Sequence, residues 1–132
     1  SNNEAIEYLL KTKGNILLTT GSKEISQFAK LCDRIFARVL PSVDSINACI
    51  NAGVASKNII AMQGPFSRNL NEAIIKELHC KYLVTKVSGK SGGFDEKIEA
   101  CENTGCIPVI ILPQSEDVGI SLDECINALK NL

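Results

Sequence analysis

Short apolar runs rich in β-branched residues alternate along this chain with segments whose apolar residues recur at helical spacing. Five runs have the length and composition of strands: Asn15–Thr20, Arg34–Leu40, Asn58–Gln63, Tyr82–Lys86 and Ile107–Leu112. They begin 19 to 25 residues apart, with one helical segment in each gap. This spacing is typical of successive βαβ units, so we predict a five-stranded parallel sheet with helices on both faces.

The helical segments show apolar stripes that predict which side of each helix is buried. The stripes are Ile25, Phe28, Ala29 and Cys32; Val43, Ile46, Cys49 and Ile50; Leu70, Ile74 and Leu78; and Phe94, Ile98 and Cys101. A first helix is predicted over about 3–12, and the capping box Ser121–Glu124 opens a last one. Ser42 and Ser67 are predicted N-caps, and Gly53 and Gly105 predicted helix stops.

These elements predict one α/β domain over residues 1–132, a three-layer Rossmann-like or flavodoxin-like sandwich. The strand orders 3-2-1-4-5 and 2-1-3-4-5 are both open at this point. The chain starts at Ser1-Asn2, and its single methionine is Met62. We therefore expect it to be a piece of a longer protein.

Composition limits the function classes. The chain has 132 residues, of which 45% are hydrophobic and 22% charged, and its net charge is −1. A nearly neutral chain has no overall field that would attract nucleic acid or an anionic membrane, so an anion must bind at a local site. No apolar run approaches the ~20 residues that span a bilayer. We expect neither nucleic acid nor membrane as a partner.

The six cysteines are interpreted as buried thiols. Cys32, Cys49, Cys101 and Cys125 fall in helical apolar patterns, where a free cysteine packs as a small hydrophobic residue. Metal-binding Cys-x-x-Cys spacing is absent and His79 is the only histidine, so we expect no metal site. Free thiols favour a reducing, cytoplasmic location.

Polar and glycine-rich segments follow three of the predicted strands, at the carboxyl ends where open parallel sheets bind ligands. They are Thr19–Lys23, Gln63–Arg68 and the loop between Lys86 and Asp95. The connectors at the opposite edge are plain. This one-sided distribution predicts a ligand site at the carboxyl edge.

The loop after the fourth strand combines cations, hydroxyls and glycines before an acidic helix start, Asp95-Glu96. Backbone N–H groups of such loops bind anions. Its predicted site residues are Thr85, Lys86, Ser88, Gly89, Lys90, Ser91, Gly92 and Gly93. The P-loop pattern requires a glycine where Val84 stands, which argues against nucleotide hydrolysis.

The first loop, Thr20-Gly21-Ser22-Lys23, allows two interpretations of equal weight. It could present N–H groups to an anion at a helix start, or it could be a tight turn with Ser22 as the cap. The G-x-G-x-x-G fingerprint is absent, and Leu40-Pro41 stands where an NAD-binding acid would follow the second strand. Phe66 in the third loop could stack on a planar ligand or act as a hydrophobic staple before Ser67.

Together, the segments Asn15–Lys23, Ala61–Ser67 and Val84–Gly93 with Glu96-Lys97 resemble the precorrin-6A reductase family of cobalamin biosynthesis, which includes cobalt-precorrin-6A reductases. Arg38–Pro41 also fits the resemblance. The chain departs from the family where Val87 follows Thr-Lys in place of an acid, and where Gln114 follows Leu112-Pro113 in place of Arg-Pro. The resemblance implies two Rossmann-like halves with the active site between them, of which this chain resembles the C-terminal one.

The resemblance implies an NADPH-dependent reduction of a tetrapyrrole, precorrin-6A or its cobalt form, to the 6B form. Lys86 and Lys90 are the predicted catalytic residues, which with Lys23 would meet substrate carboxylates or cofactor phosphate. Substrate would also contact Gln63, Gly64, Pro65, Phe66, Ser67 and the hydroxyl and glycine residues of the fourth loop. NADPH would contact Thr20, Gly21, Ser22 and Lys23. The missing N-terminal half is the expected partner, and this piece alone is expected to be nearly inactive.

Two other functions are compatible with the residues. One is a non-catalytic Rossmann-like module that binds a phosphorylated or anionic ligand. The other is a flavodoxin-like FMN carrier, suggested by Thr19-Thr20-Gly21-Ser22.

Overall fold

A computed structural model of the 132-residue chain describes residues 1–87 and 93–113. The strands are β1 (Asn15–Leu18), β2 (Ile35–Val39), β3 (Ile59–Ala61), β4 (Cys80–Lys86) and β5 (Ile107–Ile111). The α-helices are α1 (Asn2–Leu10), α2 (Val43–Asn51), α3 (Arg68–Glu77) and α4 (Phe94–Thr104). Two 3-10 helices, Ser22–Arg34 and Ser56–Asn58, complete the described elements.

The five strands form one parallel sheet in the order β3-β2-β1-β4-β5. This confirms the predicted α/β architecture and selects the first of the two strand orders. It is the order of dinucleotide-binding Rossmann sheets, and it differs from the flavodoxin order on which an FMN carrier would rest. The direction of winding reverses at β1, because β2 and β4 flank it on opposite sides.

Alternate residues of β1 and β2 enter two separate hydrophobic clusters, as the two-residue period of a strand requires. In β1, Ile16 and Leu18 face the cluster that includes α1 and the long 3-10 helix. Leu17 faces the other cluster, which includes Ile75 of α3 and Cys101 of α4. The sheet is therefore the middle layer of a three-layer sandwich.

The predicted helix ends are confirmed. The Ser42 and Ser67 hydroxyls each accept a hydrogen bond, 3.1 Å long, from the backbone N–H three residues later. Gly105 caps α4 in the left-handed conformation with φ 79°. Gly53, with φ 93°, follows the end of α2. These caps satisfy N–H and C=O groups that have no partner inside a helix.

The segment between β1 and β2 is a 3-10 helix, Ser22–Arg34, where the stripe predicted an α-helix. Its buried side chains are Ile25, Phe28 and Leu31, spaced by three residues. A 3-10 helix has three residues per turn, so residues at i, i+3 and i+6 share one face. Ala29, which an α-helical stripe would bury, is exposed.

The stripe predicted for α2 was wrong in part. Val43 is 73% exposed and Ile50 is 49% exposed, whereas Ser45 and Cys49 are buried. Burying Ser45 is possible because its hydroxyl contacts those of Ser22 and Ser42. In α3 and α4 the most buried faces include Asn71 and Lys97, polar residues that an apolar pattern does not predict.

Five free cysteines are described: Cys49, Cys80, Cys101 and Cys106 are buried, and Cys32 is half-buried. Cys125 and the predicted last helix lie outside the described residues. Among residues 1–87 and 93–113, no helix combines the length and apolar character that crossing a bilayer requires.

His79 follows α3 with φ 53°, a left-handed conformation that costs an L-residue about 1–2 kcal/mol. We expect His79→Gly to stabilise the fold by about 0.5 kcal/mol, because relief of this strain outweighs the extra freedom of glycine in the unfolded chain. Urea unfolding of the wild type, His79→Gly and His79→Ala measures the effect. His79→Ala removes the imidazole but keeps the Cβ, so equal stability of both variants would contradict the strain argument.

Candidate functional site

Loops that follow β1 and β3 meet the start of α4 at the carboxyl edge of the sheet. A Cβ placed on Gly93, the cap of α4, would lie 3.7 Å from Pro65 Cβ, so the loop after β3 contacts the start of α4. A cleft of about 330 Å³ opens between them. It is lined by Thr19, Gly21, Arg38, Val39, Leu40, Met62, Gln63, Gly64, Pro65, Phe66 and Lys97, and is called here the Arg38–Lys97 cleft. The prediction that Thr19–Lys23 and Gln63–Arg68 share one edge is confirmed, and residues 88–92 of the third predicted segment lie outside the described residues.

Arg38 is the first of two cations in this cleft. It lies in β2 between the core residues Ala37 and Val39, on the opposite face of the sheet, and is 5% exposed. Its Nη1 donates a 2.7 Å hydrogen bond to Asn71 Oδ1. Its Cζ lies 3.9 Å from the centroid of the Phe66 ring. Burial lowers the pKa of the guanidinium to about 10, so it stays charged at neutral pH.

Lys97 is the second cation. It belongs to the first turns of α4, is 9% exposed, and donates from Nζ to Thr85 Oγ1 at 3.2 Å. The Thr85 hydroxyl is fully buried and donates in turn to the carbonyl of Lys86. Burial first, and the positive charge of Arg38 second, lower the pKa of the Lys97 ammonium to about 8.

Neither cation forms an ion pair with an acid in the part of the chain that the structure describes. Two neighbouring positive charges removed from water repel each other and lose hydration, so such an arrangement favours an anion. Perturbed pKa values of this origin concentrate at functional sites. The Arg38–Lys97 cleft is therefore the strongest candidate site among the described residues.

Sequence reasoning assigned no role to Arg38 or Lys97, although both lie in segments that carry the family resemblance. A usable signal existed for Arg38, a charge inside the apolar run Ile35–Val39. Lys97 gave no comparable signal, because a lysine near a helix start is ordinarily a solvated surface residue. Lys97 is buried only because α4 packs against β4.

Asn71 ties the third loop to β2. Its side chain is fully buried, and its Nδ2 donates to the backbone oxygens of Ser67 at 3.0 Å and Phe66 at 3.4 Å. Its Oδ1 accepts from Arg38. One amide thus fixes both the loop and the guanidinium.

One face of the Phe66 ring lies against Arg38 in a cation–π contact. Phe66 also directly precedes Ser67, the cap of α3. A Cβ on Gly64 would lie 3.0 Å from the ring, so glycine at this position lets the ring approach. Gln63 lines the cleft and is exposed, whereas Ser67 is exposed but does not line the cleft. Their predicted contact with substrate stays a prediction, as it does for Gly64, Pro65, Phe66 and Gly93.

A second cavity, of about 270 Å³, adjoins the first at Gly21 and Leu40. Its other lining residues are Thr20, Ser22, Lys23, Glu24 and Lys86. Gly21, with φ 93°, is the helix cap, so Ser22 is not. Instead, the Ser22 hydroxyl contacts that of Ser45 at 3.1 Å.

Three features of this second cavity fit a phosphate group. The buried Thr20 Oγ1 has no hydrogen-bond partner among the described residues. The 3-10 helix starts there without a side-chain cap, which leaves N–H donors available. A Cβ on Gly21 would meet nothing within 4 Å, so the backbone is open to close approach.

Lys86 lines the second cavity, and its ammonium pairs with the Glu24 carboxylate. It precedes the exposed Val87 and extends to the face of the sheet opposite Thr85 and Lys97. Its predicted catalytic role stays a prediction. The predicted residues Ser88, Gly89, Lys90, Ser91 and Gly92 lie outside the described residues.

We expect Asn71→Ala to lower the free energy of unfolding by about 2–3 kcal/mol, because it leaves a buried guanidinium and the Phe66 carbonyl without this amide, while Ser67 O keeps the backbone N–H of residue 71. Chemical denaturation measures this. Asn69→Ala, on the exposed side of the same helix, is the matched control and should change stability by less than about 0.5 kcal/mol. Equal effects at the two positions would contradict the role of Asn71.

Lys97 should make stability rise with pH. Its pKa in the folded chain is about 8, below the ordinary 10.5, so between these values the unfolded chain binds more protons and stability increases with pH. The slope is at most about 1.4 kcal/mol per pH unit. We expect Lys97→Met to lose this rise and the exposed Lys76→Met to keep it, as measured by unfolding across that range. Equal slopes in the wild type and Lys97→Met would contradict a buried Lys97 cation.

Comparison with known proteins gives a consistent result. The family model "Precorrin-6x reductase CbiJ/CobK" matches residues 1–130. A cobalt-precorrin-6A reductase from Priestia megaterium is 38% identical over 97% of this chain and 53% of its own length. One from Methanococcus maripaludis is 35% identical over 98% of this chain and 53% of its own.

A solved structure of "CobK precorrin-6A reductase" superposes with a TM-score of 0.63 at 18% identity, over 97% of this chain and 52% of that one. At this identity the likeness supports the fold. The chain spans about half the length of the curated relatives it matches. With the family model matched from end to end of the described structure, the chain belongs to the precorrin-6x reductase family.

Proposed function

We propose that this chain is one half, the C-terminal one, of an enzyme that reduces precorrin-6A or cobalt-precorrin-6A in cobalamin biosynthesis with NADPH. The observation that carries the proposal is the family match over residues 1–130 combined with an open cationic cleft at the carboxyl edge of the sheet. Named relatives are cobalt-precorrin-6A reductases. Bound NADPH would supply the hydride, and the protein would supply binding, orientation and electrostatics.

The two adjoining cavities support a division of binding. In the second cavity, Thr20 and the free N–H groups at the start of the 3-10 helix would hold a cofactor phosphate, with Lys23 nearby. Lys86 neutralises Glu24, which would otherwise repel that phosphate. In the Arg38–Lys97 cleft, the third loop would contact the tetrapyrrole. Gly21 and Leu40 line both cavities, so the two ligands would lie next to each other.

Each cavity is shallow for its ligand. Pockets that enclose most of a drug-sized molecule have volumes of about 300–1,000 Å³. Those seen here, about 330 and 270 Å³, fall at or below the lower end of that range. A tetrapyrrole and a dinucleotide would therefore extend beyond these walls, which suits an active site completed by a second half.

We expect the purified 132-residue chain to oxidise NADPH at the background rate in the presence of precorrin-6A, and the complete two-half enzyme to turn over. The reason is that half of the binding surface cannot hold both reactants in line. NADPH absorbance measures the rate, with the tetrapyrrole spectrum as a second readout. Robust turnover by the chain alone would overturn the division into halves.

The same assay separates the alternative function. A non-catalytic module would bind phosphate ligands but leave NADPH unoxidised even when both halves are joined. Absence of turnover in the joined enzyme, with its fold verified by circular dichroism, would overturn the reductase proposal.

A further inference from the structure

Arg38 and Lys97 are two buried cations whose counter-charge is missing from the described residues. Arg38 is 5% exposed and Lys97 is 9% exposed, and both line one cleft. Residues 88–92, the segment between Val87 and α4, contain no Asp or Glu in their sequence, and the four acids that follow Pro113 lie outside the described residues. The acids next to Lys97 on its own helix, Asp95 and Glu96, are exposed. Buried charges in proteins are normally paired, so a ligand anion is the natural partner.

Both cations are held in place by neutral groups that do not cancel their charge. Asn71 accepts from Arg38 at 2.7 Å, and Thr85 accepts from Lys97 at 3.2 Å. An amide and a hydroxyl orient the cations, and the other N–H donors of Arg38 and Lys97 stay available to a ligand. Asn71 and Thr85 therefore orient the two cations of the cleft.

The remaining walls of the cleft are largely apolar. Val39, Met62, Pro65 and Phe66 line it, and Met62 is 41% exposed near Leu40. A ligand that suits this surface carries its anion on an apolar framework. Inorganic phosphate, which needs donors on every side, suits it less well than it suits the neighbouring cavity with its free N–H groups.

We propose that Arg38 and Lys97 bind one carboxylate, from an acetate or propionate side chain of the tetrapyrrole, while part of the ring lies against the apolar wall formed by Met62, Pro65 and Phe66. This inference rests on the proposed function and assigns it a specific substrate contact. Arg38 presents a planar fork of donors that matches a carboxylate, and Lys97 adds a point charge from α4. The bound carboxylate stabilises the Lys97 ammonium that burial and Arg38 destabilise.

The test uses the folded 132-residue chain with lysine ¹³C-labelled at Cε, and uroporphyrin as a probe that presents acetate and propionate groups on a tetrapyrrole. Lys97 is assigned from the signal that Lys97→Met removes. Arg38 from β2 is the charged group that faces Lys97, and Thr85 faces it from β4. We expect saturating uroporphyrin to raise the pKa of Lys97 from about 8. An unchanged Lys97 titration overturns the inference. Uroporphyrin binding is measured here on the wild-type chain, so the result does not depend on the binding properties of a variant.

Affinities of variants provide the second arm. We expect Arg38→Met and Lys97→Met each to weaken uroporphyrin binding at neutral pH by about tenfold, the effect of one charge-assisted hydrogen bond. Wild-type affinity should fall as pH rises past about 8, because Lys97 then loses its proton. Lys97→Arg should retain binding there, which a purely structural role of Lys97 would not predict. Lys76→Met is the matched control on an exposed helix position.

Parallel titrations with NADPH and inorganic phosphate identify the ligand class. If Arg38→Met and Lys97→Met weaken NADPH or phosphate binding while uroporphyrin binding is unchanged, the cleft is a phosphate site and the inference is overturned. That result would leave the reductase proposal intact, because turnover of the complete enzyme is measured separately. Conversely, carboxylate binding at Arg38 and Lys97 in an enzyme without turnover would overturn only the proposed reduction.

Discussion

The hydrogen bond between Arg38 and Asn71 is the interaction on which the arrangement of the carboxyl edge depends. It crosses from the second strand of the sheet to the third α-helix and has both partners buried. The same amide holds the backbone of the loop after β3, and Phe66 of that loop covers the guanidinium. A charge in the sheet thereby fixes a loop that would otherwise be a free connector. The Asn71 amide therefore holds the loop after β3, one side of the cleft, against β2, the strand beneath it.

Lys97 continues this arrangement on the other side of β1, the strand at which the direction of winding reverses, because it bonds Thr85 of β4. Three polar residues lie level with one another on adjacent strands: Thr19, Arg38 and Thr85. The register places them so, because Leu18 pairs with both Ala37 and Val84, and each polar residue comes directly after one of these. Thr19 donates to the carbonyl of Val84, which holds β1 against β4 at this edge. A row of polar side chains therefore lies directly above the apolar second cluster. The sheet supplies rigid spacing, and the charges stand where such folds bind their ligands.

The two cavities differ in chemistry although they share a border. The cleft combines buried cations with apolar walls, whereas its neighbour offers a helix start, an exposed lysine and a hydroxyl that has no partner among the described residues. An apolar ring with carboxylates and a dinucleotide phosphate require different surfaces, and the proposed division of the two ligands follows this difference. Pairing of Lys86 with Glu24 cancels one positive charge beside the second cavity, whereas Arg38 and Lys97 in the cleft have no acid partner among the described residues. This contrast is the physical basis for assigning the two ligands to opposite sides of Gly21.

The amino-acid sequence by itself determined the parallel α/β sheet, the helix caps at Ser42 and Ser67, the edge at which the loops after β1 and β3 meet, and the family. Each of these follows from local pattern: strand spacing, cap chemistry and the position of glycine-rich loops. Periodicity could not distinguish the 3-10 helix Ser22–Arg34 from an α-helix, because Ile25 and Phe28 fit either period. Nor could it reveal the cations of the cleft. Whether a lysine or arginine is solvated or buried depends on what packs over it from distant parts of the chain, so only the tertiary structure brought Arg38, Asn71, Thr85 and Lys97 together.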